Sequence, residues 1–325
     1  MIEYIKYKLR GNSFYKKYCQ TRVNDMRYFF KNMRMYFNKY RFKKDKEVEG
    51  NTLYFIFDDK QRHPGLADRL KVLACVYYVA KINGFDFKII CDRSLDLPKY
   101  LNENEVKWVG SEDELSYSLR NSRLIAYNGG GKVPKLNKKV KQYHIYYYIG
   151  ISILKTNNIP DYERVWSKHY RELFQTKDII KEKYHLTGLE PNNYIAVHLR
   201  FVNSLEHFED GFYNAITADE QEKLIADCLD AIKVIQSKHS EQVVIFSDSN
   251  RFINCAKEAG YRTLEGEIGH ISFNGSDDAQ MKAFLDFYAI SQSKKVYRIV
   301  KPHMYYTTFS MFGAMCEDKE FETIN

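Results

Sequence analysis

Hydrophobic positions along this chain follow two alternating periods, one typical of buried strands and one typical of helices packed on them. Residues 53–57 are apolar throughout and predict a buried strand. Apolar side chains then recur every three or four positions over residues 66–80, which predicts a helix, and residues 87–91 form a second apolar run. Strand, loop, helix and strand in this order open an α/β domain with a parallel sheet.

The same pattern continues to the end of the chain. Residues 161–184 predict one long amphipathic helix as the connection between two domains. Three glycines at residues 129–131 lack Walker spacing, so a P-loop is not expected there. Further strands are predicted at residues 106–109, 124–127, 194–198, 242–247, 261–264 and 295–299, and further helices at residues 219–236, 250–259, 278–291 and 307–316.

The length of 325 residues also favours two domains, since one core seldom organises more than ~200 residues. We therefore predict two successive α/β domains with a cleft between them, over residues 51–160 and 161–325. Residues 1–50 form a separate basic, aromatic extension.

The net charge of +8 is concentrated in this extension. Residues 1–50 hold 14 Lys and Arg against 5 Asp and Glu, whereas the remaining chain holds 36 against 37. A nucleic-acid-binding domain would carry its basic residues on the folded body, so no nucleic acid partner is predicted. Aromatic residues alternate with the basic ones up to residue 46, as in helices that bind anionic membrane surfaces. A solvated arm with some rings packed on the body is the equal alternative.

The six cysteines form no C-x-x-C pair and are expected to be buried free thiols. No apolar run reaches the ~18 residues that a membrane-spanning helix needs, and the first residues lack the apolar core of a signal peptide. These features predict a cytoplasmic protein in a reducing compartment. Peripheral binding at the inner face of the cell membrane is the expectation for the extension.

Candidate chemistry lies where strands end, because ligands of open α/β sheets bind beyond the carboxyl ends of the strands. Gly65 permits a close backbone approach after the first strand, and Asp68 and Arg69 follow in a helix start that favours anions. An ordinary loop with Asp68 near the helix N-terminus is the alternative interpretation.

The strand over residues 194–198 ends with His198, and Arg200 shares its face by the period of two. The planar guanidinium of Arg200 suits a diphosphate. The alternative is that Arg200 pairs with a carboxylate that follows, such as Glu206.

Two later corners carry further polar residues. Ser247 and Asp248 follow a strand and face the predicted cleft, although capping of the next helix would also explain them. Asp286 lies on the helix over residues 278–291. Thr308 and Ser310 begin the last helix, where hydroxyl groups offer contacts to phosphate.

Taken in order, these segments resemble the fucosyltransferase superfamily, which includes α-1,2, α-1,6 and nodulation-factor fucosyltransferases. Departures at Phe201, where the family commonly has a second arginine, and at Met311 and Phe312, where it has tryptophans, leave the linkage open. The matching segments are residues 198–200 (H-x-R), residues 246–248 (F-S-D), Asp286 with Ser291 (D-x-x-x-M-S), residues 307–314 (S-T-F-S-W-W-G-A) and residues 65–70 (G-L-G-N-R-L).

The resemblance implies a GT-B-like fold, in which two Rossmann-like domains face a cleft with the acceptor side in residues 51–160 and the nucleotide sugar in residues 161–325. It implies inverting transfer of fucose from GDP-fucose, as donor substrate, to a hydroxyl of a glycan acceptor in surface polysaccharide synthesis. A lipid-linked glycan is one candidate acceptor. No cofactor and no metal ion are expected, in keeping with a sequence that has no Asp-x-Asp pair for a metal bridging a diphosphate.

Roles follow from the resemblance. Arg200, with helix amides near Ser310, would neutralise the departing GDP. His198 and Asp286 would face the base and sugar of the nucleotide, and the general base would be Glu206 or, less favoured, Asp68. The substrate-binding candidates are Gly65, Arg69, His198, Ser247, Asp248, Asp286, Thr308 and Ser310.

Three other functions stay open. One is a transferase that uses a different nucleotide sugar, and another is a non-catalytic sugar- or nucleotide-binding protein on the same scaffold. The third is a membrane-surface or RNA-binding adaptor in which the basic extension is the active part.

Overall fold

The computed structural model describes residues 26, 30, 33–34, 36–44, 46, 48–57, 65–91, 95–125, 133–146, 151–206, 216–266 and 276–325. They form a mixed α/β chain with parallel sheets, as the sequence predicts. The predicted loop at residues 129–132 and most of residues 1–46 lie outside the described residues.

The strands are β1 (Thr52–Ile56), β2 (Asp86–Ile90), β3 (Leu101–Glu103), β4 (Ser122–Leu124), β5 (Gln142–Ile145), β6 (Phe174–Thr176), β7 (Tyr194–Leu199), β8 (Gln242–Ser247), β9 (Arg262–Thr263), β10 (Lys295–Ile299) and β11 (Glu320–Ile324). The helices are α1 (Leu66–Asn83), α2 (Leu97–Tyr100), α3 (Ser152–Thr156), α4 (Tyr162–Leu173), α5 (Asp178–Leu186), α6 (Ala218–Ser237), α7 (Asn250–Glu258), α8 (Asp277–Gln292) and α9 (Phe309–Cys316). Glu112–Glu114 and Val202–Ser204 are single 3₁₀ turns.

The chain divides into two compact units, and each takes segments from more than one part of the sequence. The first unit contains the residues up to Asp58 together with Cys75–Ile90 and Trp108–Asn158. The second contains Asp59–Ala74, Cys91–Lys107 and Ile159–Asn325.

The first unit is built on a parallel sheet with the strand order β2-β1-β5-β4. Every residue of β1 is buried, which explains its continuous apolar run. Tyr40 is also buried here, since its ring stacks on Tyr36 at 5.1 Å and its hydroxyl lies 2.6 Å from Nδ1 of His144. The backbone N–H of Arg41 donates to the carbonyl of Tyr117 at 3.1 Å, so the end of the basic extension is packed on this unit.

The second unit is built on a five-stranded parallel sheet with the order β11-β10-β7-β8-β9. One face packs on α6 and α7 through Leu224, Ile232 and Phe252. The other face packs on α8 and α9 through Leu285, Ile290 and Ala314. Both faces are covered. Strand β7 is apolar apart from His198, whereas β10 also carries Lys295, which is half-buried, and Arg298, which is buried.

Segments from the first half of the chain complete the second unit. The indole N–H of Trp166 donates to the carbonyl of Lys71 at 3.1 Å, which attaches the start of α1 to α4. The ring of Tyr100 stacks on Phe284 at 4.4 Å. These contacts place the start of α1, with Gly65, Asp68 and Arg69, in the same unit as Arg200. The predicted division at residue 160 would put them in different domains.

The prediction of one helix over residues 161–184 is wrong. Helix α4 ends at Leu173, and β6 follows as a short strand paired antiparallel with β3 before α5 begins at Asp178. Pairing with a distant segment overrides the local helical period here. The predicted strand at residues 106–109 is reduced to a single bridge between Ile89 and Val109.

Three of the cysteines, Cys75, Cys228 and Cys316, are buried free thiols as expected, whereas Cys91 and Cys255 are half-buried. No helix in the described part of the chain combines the length and the apolar character that crossing a bilayer requires.

Candidate functional site

His198 lies at the carboxyl end of β7 and faces α8 and α9. Its side chain is 6% exposed, and its ring stacks on Phe309 with 5.4 Å between centroids. Burial, assisted by the positive charges of Arg200, Arg298 and Lys282, lowers the pKa of His198 to about 3. The imidazole is therefore neutral at pH 7, and its Nδ1 has no hydrogen-bond partner among the described residues.

Arg200 follows directly after β7. Its guanidinium lies over the ring of Tyr305 at 5.6 Å, and its carbonyl accepts from the N–H of Tyr305 at 3.0 Å. Its buried Nε has no hydrogen bond within the part of the chain that the structure describes. Among the described residues, Oδ2 of Asp248 lies 3.9 Å away, too far for a hydrogen bond. Glu206, one of the carboxylates expected as an alternative partner, is bound by backbone N–H groups instead, and the other two, Glu209 and Asp210, lie outside the described residues.

Asp248 is occupied by the backbone that follows Arg200. Its Oδ1 accepts from the N–H of Phe201 at 2.8 Å and its Oδ2 accepts from the N–H of Val202 at 3.0 Å. Val202 has a φ of +52°, a left-handed conformation that a β-branched residue rarely adopts. Such strain costs ~1–3 kcal/mol and persists only where the surroundings enforce it. Asp248 thus fixes the loop that orients Arg200.

The alternative interpretation that Ser247 caps the next helix is wrong. Its Oγ accepts from the N–H of Ser249 at 3.2 Å, and it is Ser249 that caps α7 by accepting from the N–H of Phe252 at 3.1 Å. Ser247 and Asp248 therefore shape the two loops at the carboxyl ends of β7 and β8.

Glu206 also binds the start of α7. Its two carboxylate oxygens accept from the N–H groups of Asn250 and Arg251, each at 3.0 Å. A carboxylate at this position interacts favourably with the helix dipole. The other candidate base, Asp68, lies in the first turn of α1 with its side chain 42% exposed and paired with Lys71.

Residues 303–308, which precede α9 and are called the α9 segment below, contact the residues at the ends of β7 and β10. The Oγ1 of Thr307 accepts from the N–H of Phe309 at 3.1 Å, while Thr308 at the start of the helix makes no capping hydrogen bond through its side chain. Ser310 is completely buried, and no described residue provides a hydrogen-bond partner for its Oγ. Gly313 allows close packing on α8, where an added Cβ would lie 2.8 Å from Cγ2 of Ile290.

Asp286 lies on α8 and is paired with Lys282 one turn earlier. The Nζ of Lys282 is 2.6 Å from each of the two carboxylate oxygens; Lys282 is buried and the side chain of Asp286 is 14% exposed. Burial raises the pKa of Asp286, and the charge of Lys282 opposes that rise. Gly266 makes room for the lysine, since an added Cβ would lie 2.6 Å from Cδ of Lys282.

Sequence reasoning missed Arg298. This residue is on β10 in register with His198 and is 1% exposed. Its guanidinium lies 3.7 Å from the ring centroid of Tyr306 and donates to the carbonyl of Thr307. An arginine inside an otherwise buried apolar strand is the signal that could have identified it.

The structure brings together five of the predicted residues within the second unit. His198 meets Phe309 next to Ser310, and Arg200 lies beside Asp248. Asp286 is linked to them through Lys282, whose charge acts on His198. Gly65 and the fully buried Arg69 lie in the same unit.

No protein-family model matches the chain, and no curated protein matches it by sequence. Solved structures do match. A point variant of Arabidopsis thaliana FUT1 in complex with GDP superposes with a TM-score of 0.54 at 13% identity, over 91% of this chain and 74% of that one. NodZ α-1,6-fucosyltransferase soaked with GDP-fucose gives 0.54 at 12% identity, over 82% and 93%. NodZ from Bradyrhizobium gives 0.55 at 11% identity, over 82% and 93%.

The chain therefore has the GT-B-like α/β fold of fucosyltransferases, and the expected fold is confirmed. Sequence identities of 11–13% establish this likeness for the fold alone.

Proposed function

We propose that this chain is a glycosyltransferase that moves fucose from GDP-fucose to a hydroxyl group of a glycan acceptor in surface polysaccharide synthesis. Its main support is a set of buried polar atoms, Nδ1 of His198, Nε of Arg200 and Oγ of Ser310, that lack partners among the described residues. An unsatisfied buried polar group costs ~1–3 kcal/mol, so such a cluster favours a ligand with several hydrogen-bonding groups.

A nucleoside diphosphate sugar fits this set. No carboxylate of the described residues is hydrogen-bonded to the charged guanidinium of Arg200, and the N-terminus of the eight-residue helix α9 adds partial positive charge. Both stabilise the negative charge that develops on a departing diphosphate. The printed names of the similar structures include complexes with GDP and GDP-fucose, which supports GDP as the nucleotide.

The general base is one of two carboxylates. Both oxygens of Glu206 are engaged by backbone N–H groups, so proton uptake there would weaken the start of α7. Asp68 is partly exposed and, among the described residues, is paired with the flexible Lys71, so we favour it over Glu206. We propose that this carboxylate removes the proton of the acceptor hydroxyl as it attacks the face of fucose opposite the diphosphate, which inverts the anomeric centre.

Nucleotide titration tests the proposal. GDP should bind more tightly than UDP or ADP in calorimetry, and GDP-fucose should be consumed with release of GDP when an acceptor is supplied. Preference for UDP would indicate a different donor sugar, and nucleotide binding without turnover would indicate a binding protein. Because the arginine supplies the charge that a metal would provide, we expect turnover to survive EDTA, and rescue by Mn²⁺ after chelation would contradict this.

The end of the basic extension supports a peripheral membrane location at the inner face of the cell membrane. Phe37 and Phe42 expose 65% and 81% of their surface, and Arg41, Lys43 and Lys44 beside them are exposed. Exposed rings beside cations are typical of segments that bind anionic lipid. A cytoplasmic enzyme held there would meet a lipid-linked glycan acceptor.

A further inference from the structure

Arg298 is a buried arginine whose described contacts include no acidic partner. Its Nη2 donates to Oγ1 of Thr323 at 2.8 Å, and its Nη1 donates to the carbonyl of Thr307. The rings of Tyr306 and Phe321 lie 3.7 Å and 5.2 Å from Cζ. All four neighbours are uncharged, and Nε has no partner in the described part of the chain.

Such a residue is unusual in a protein interior, where charged groups are paired because removing them from water is costly. Burial lowers the pKa of Arg298, but an arginine keeps its proton in proteins. Two acids of the described site have other partners, since Asp286 is paired with Lys282 and Asp248 is bound to backbone N–H groups.

We infer that Arg298 supplies the second positive charge for the diphosphate of the donor, an inference that rests on the proposed function. Arg298 is the register partner of His198 on β10 and fixes the carbonyl of Thr307 at the start of the α9 segment. The positive charges of Arg200 and Arg298 both act on His198, so the second cation near this residue comes from the neighbouring strand β10. Arg298 is only 1% exposed, so it is a positioning residue. It acts through its positive charge and through its hydrogen bond to the carbonyl of Thr307.

Three substitutions separate the charge of Arg298 from its hydrogen bonds. Arg298→Met removes both, Arg298→Gln keeps a donor without the charge, and Arg298→Lys keeps the charge without the fork. A matched control is Arg262→Met, because Arg262 is also a strand arginine bonded to uncharged oxygens, those of Thr187 and Gln242. Calorimetry of the full chain with GDP and with guanosine gives the readout, after circular dichroism shows that each variant is folded.

We expect the Met and Gln variants to bind GDP at least tenfold more weakly, while affinity for guanosine changes less than twofold. The Lys variant should recover most of the GDP affinity, and the Arg262→Met control should match the wild type. Equal losses for GDP and guanosine, or unchanged GDP affinity in the Gln variant, would overturn the inference. If Arg298→Met does not fold, the Gln and Lys variants decide. A wild type that binds no GDP would overturn the proposed function itself.

Discussion

The Nζ of Lys282 lies 2.6 Å from both carboxylate oxygens of Asp286, one turn apart on α8 and shielded from solvent. A lysine bound symmetrically to both oxygens holds the carboxylate ionised and in one orientation, although burial alone would favour its protonated form. Each oxygen retains a lone pair for another donor. A carboxylate with a free lone pair on each oxygen can recognise guanine, because the base presents a ring N–H and an amine side by side.

Asp286→Asn should therefore weaken discrimination between GDP and IDP, which lacks the exocyclic amine. We expect the wild type to prefer GDP by roughly tenfold or more, because a hydrogen bond to a charged group contributes ~1.5–3 kcal/mol. The variant should bind the two nucleotides nearly equally in calorimetry. Asp278→Asn on the exposed first turn of the same helix is the control and should leave the preference unchanged. An unaltered preference in Asp286→Asn would remove this residue from the guanine site.

Lys282→Met should destabilise the fold by about 3–5 kcal/mol, because it leaves a buried carboxylate without its counter-charge. The double variant Lys282→Met with Asp286→Leu should recover most of this loss, since no buried charge remains. Urea unfolding of the wild type, the single variants and the double variant measures the coupling. Strictly additive changes would show that the pair does not act as a unit.

The sequence predicted the second unit better than the first, and the reason lies in local patterning. Strands β8 and β10 match residues 242–247 and 295–299 because both are short segments with β-branched and aromatic residues between clear helix signals. Strand β5 was missed, since its buried Gln142 and His144 make it resemble a polar loop. The break between α4 and α5 was missed because it depends on pairing with β3, about 70 residues away.

Site residues were predicted where a motif fixed their spacing, as for His198, Arg200 and Asp248. The contacts that determine their roles were not accessible from spacing. Glu206 was favoured as a base, yet it binds the N-terminus of α7, and that contact needs the tertiary structure. Arg298 was missed because its burial depends on β7 and on the α9 segment, which pack on it only in the tertiary structure.

Arg200→Lys should lower kcat by roughly a hundredfold, as expected for loss of one preorganised donor at developing charge. A lysine keeps the charge but cannot form two parallel hydrogen bonds to a diphosphate. Steady-state kinetics with GDP-fucose measures the change. The control is Arg262→Lys on β9, which should keep full activity. A kcat within a fewfold of the wild type for Arg200→Lys would place this residue outside the site.

Stability should fall as the pH drops below about 6.5, because two buried histidines must stay neutral in the fold. Burial lowers the pKa of His144 and of His198 to about 3, whereas an unfolded histidine titrates near ~6.5. The unfolded chain therefore binds more protons in this window, and each histidine reduces the free energy of unfolding by ~1.4 kcal/mol per pH unit. Urea unfolding at pH 7, 6 and 5 checks this. In His198→Gln, the dependence of the free energy of unfolding on pH should become less steep by about the contribution of one histidine. An unchanged dependence would show that His198 is not neutral in the fold.

Residues 1–46 should attach the protein to anionic membranes, and the structure defines how to test this without damaging the fold. Tyr40 is buried in the first unit, so a truncation must leave residues from 36 onward in place. We expect the full chain to float with anionic liposomes and not with neutral ones, since each basic residue near the surface contributes ~1 kcal/mol. Salt should weaken binding, as a Debye length of ~8 Å implies, and inserted rings should leave a salt-resistant part of the binding.

The double variant Phe37→Ser with Phe42→Ser should remove this salt-resistant part. The control Leu186→Ser, at a side chain 86% exposed on α5, should not. Flotation of none of these chains, or equal flotation of the full chain, the chain without residues 1–35 and the Phe37→Ser, Phe42→Ser variant, would mean that the extension is not a membrane anchor.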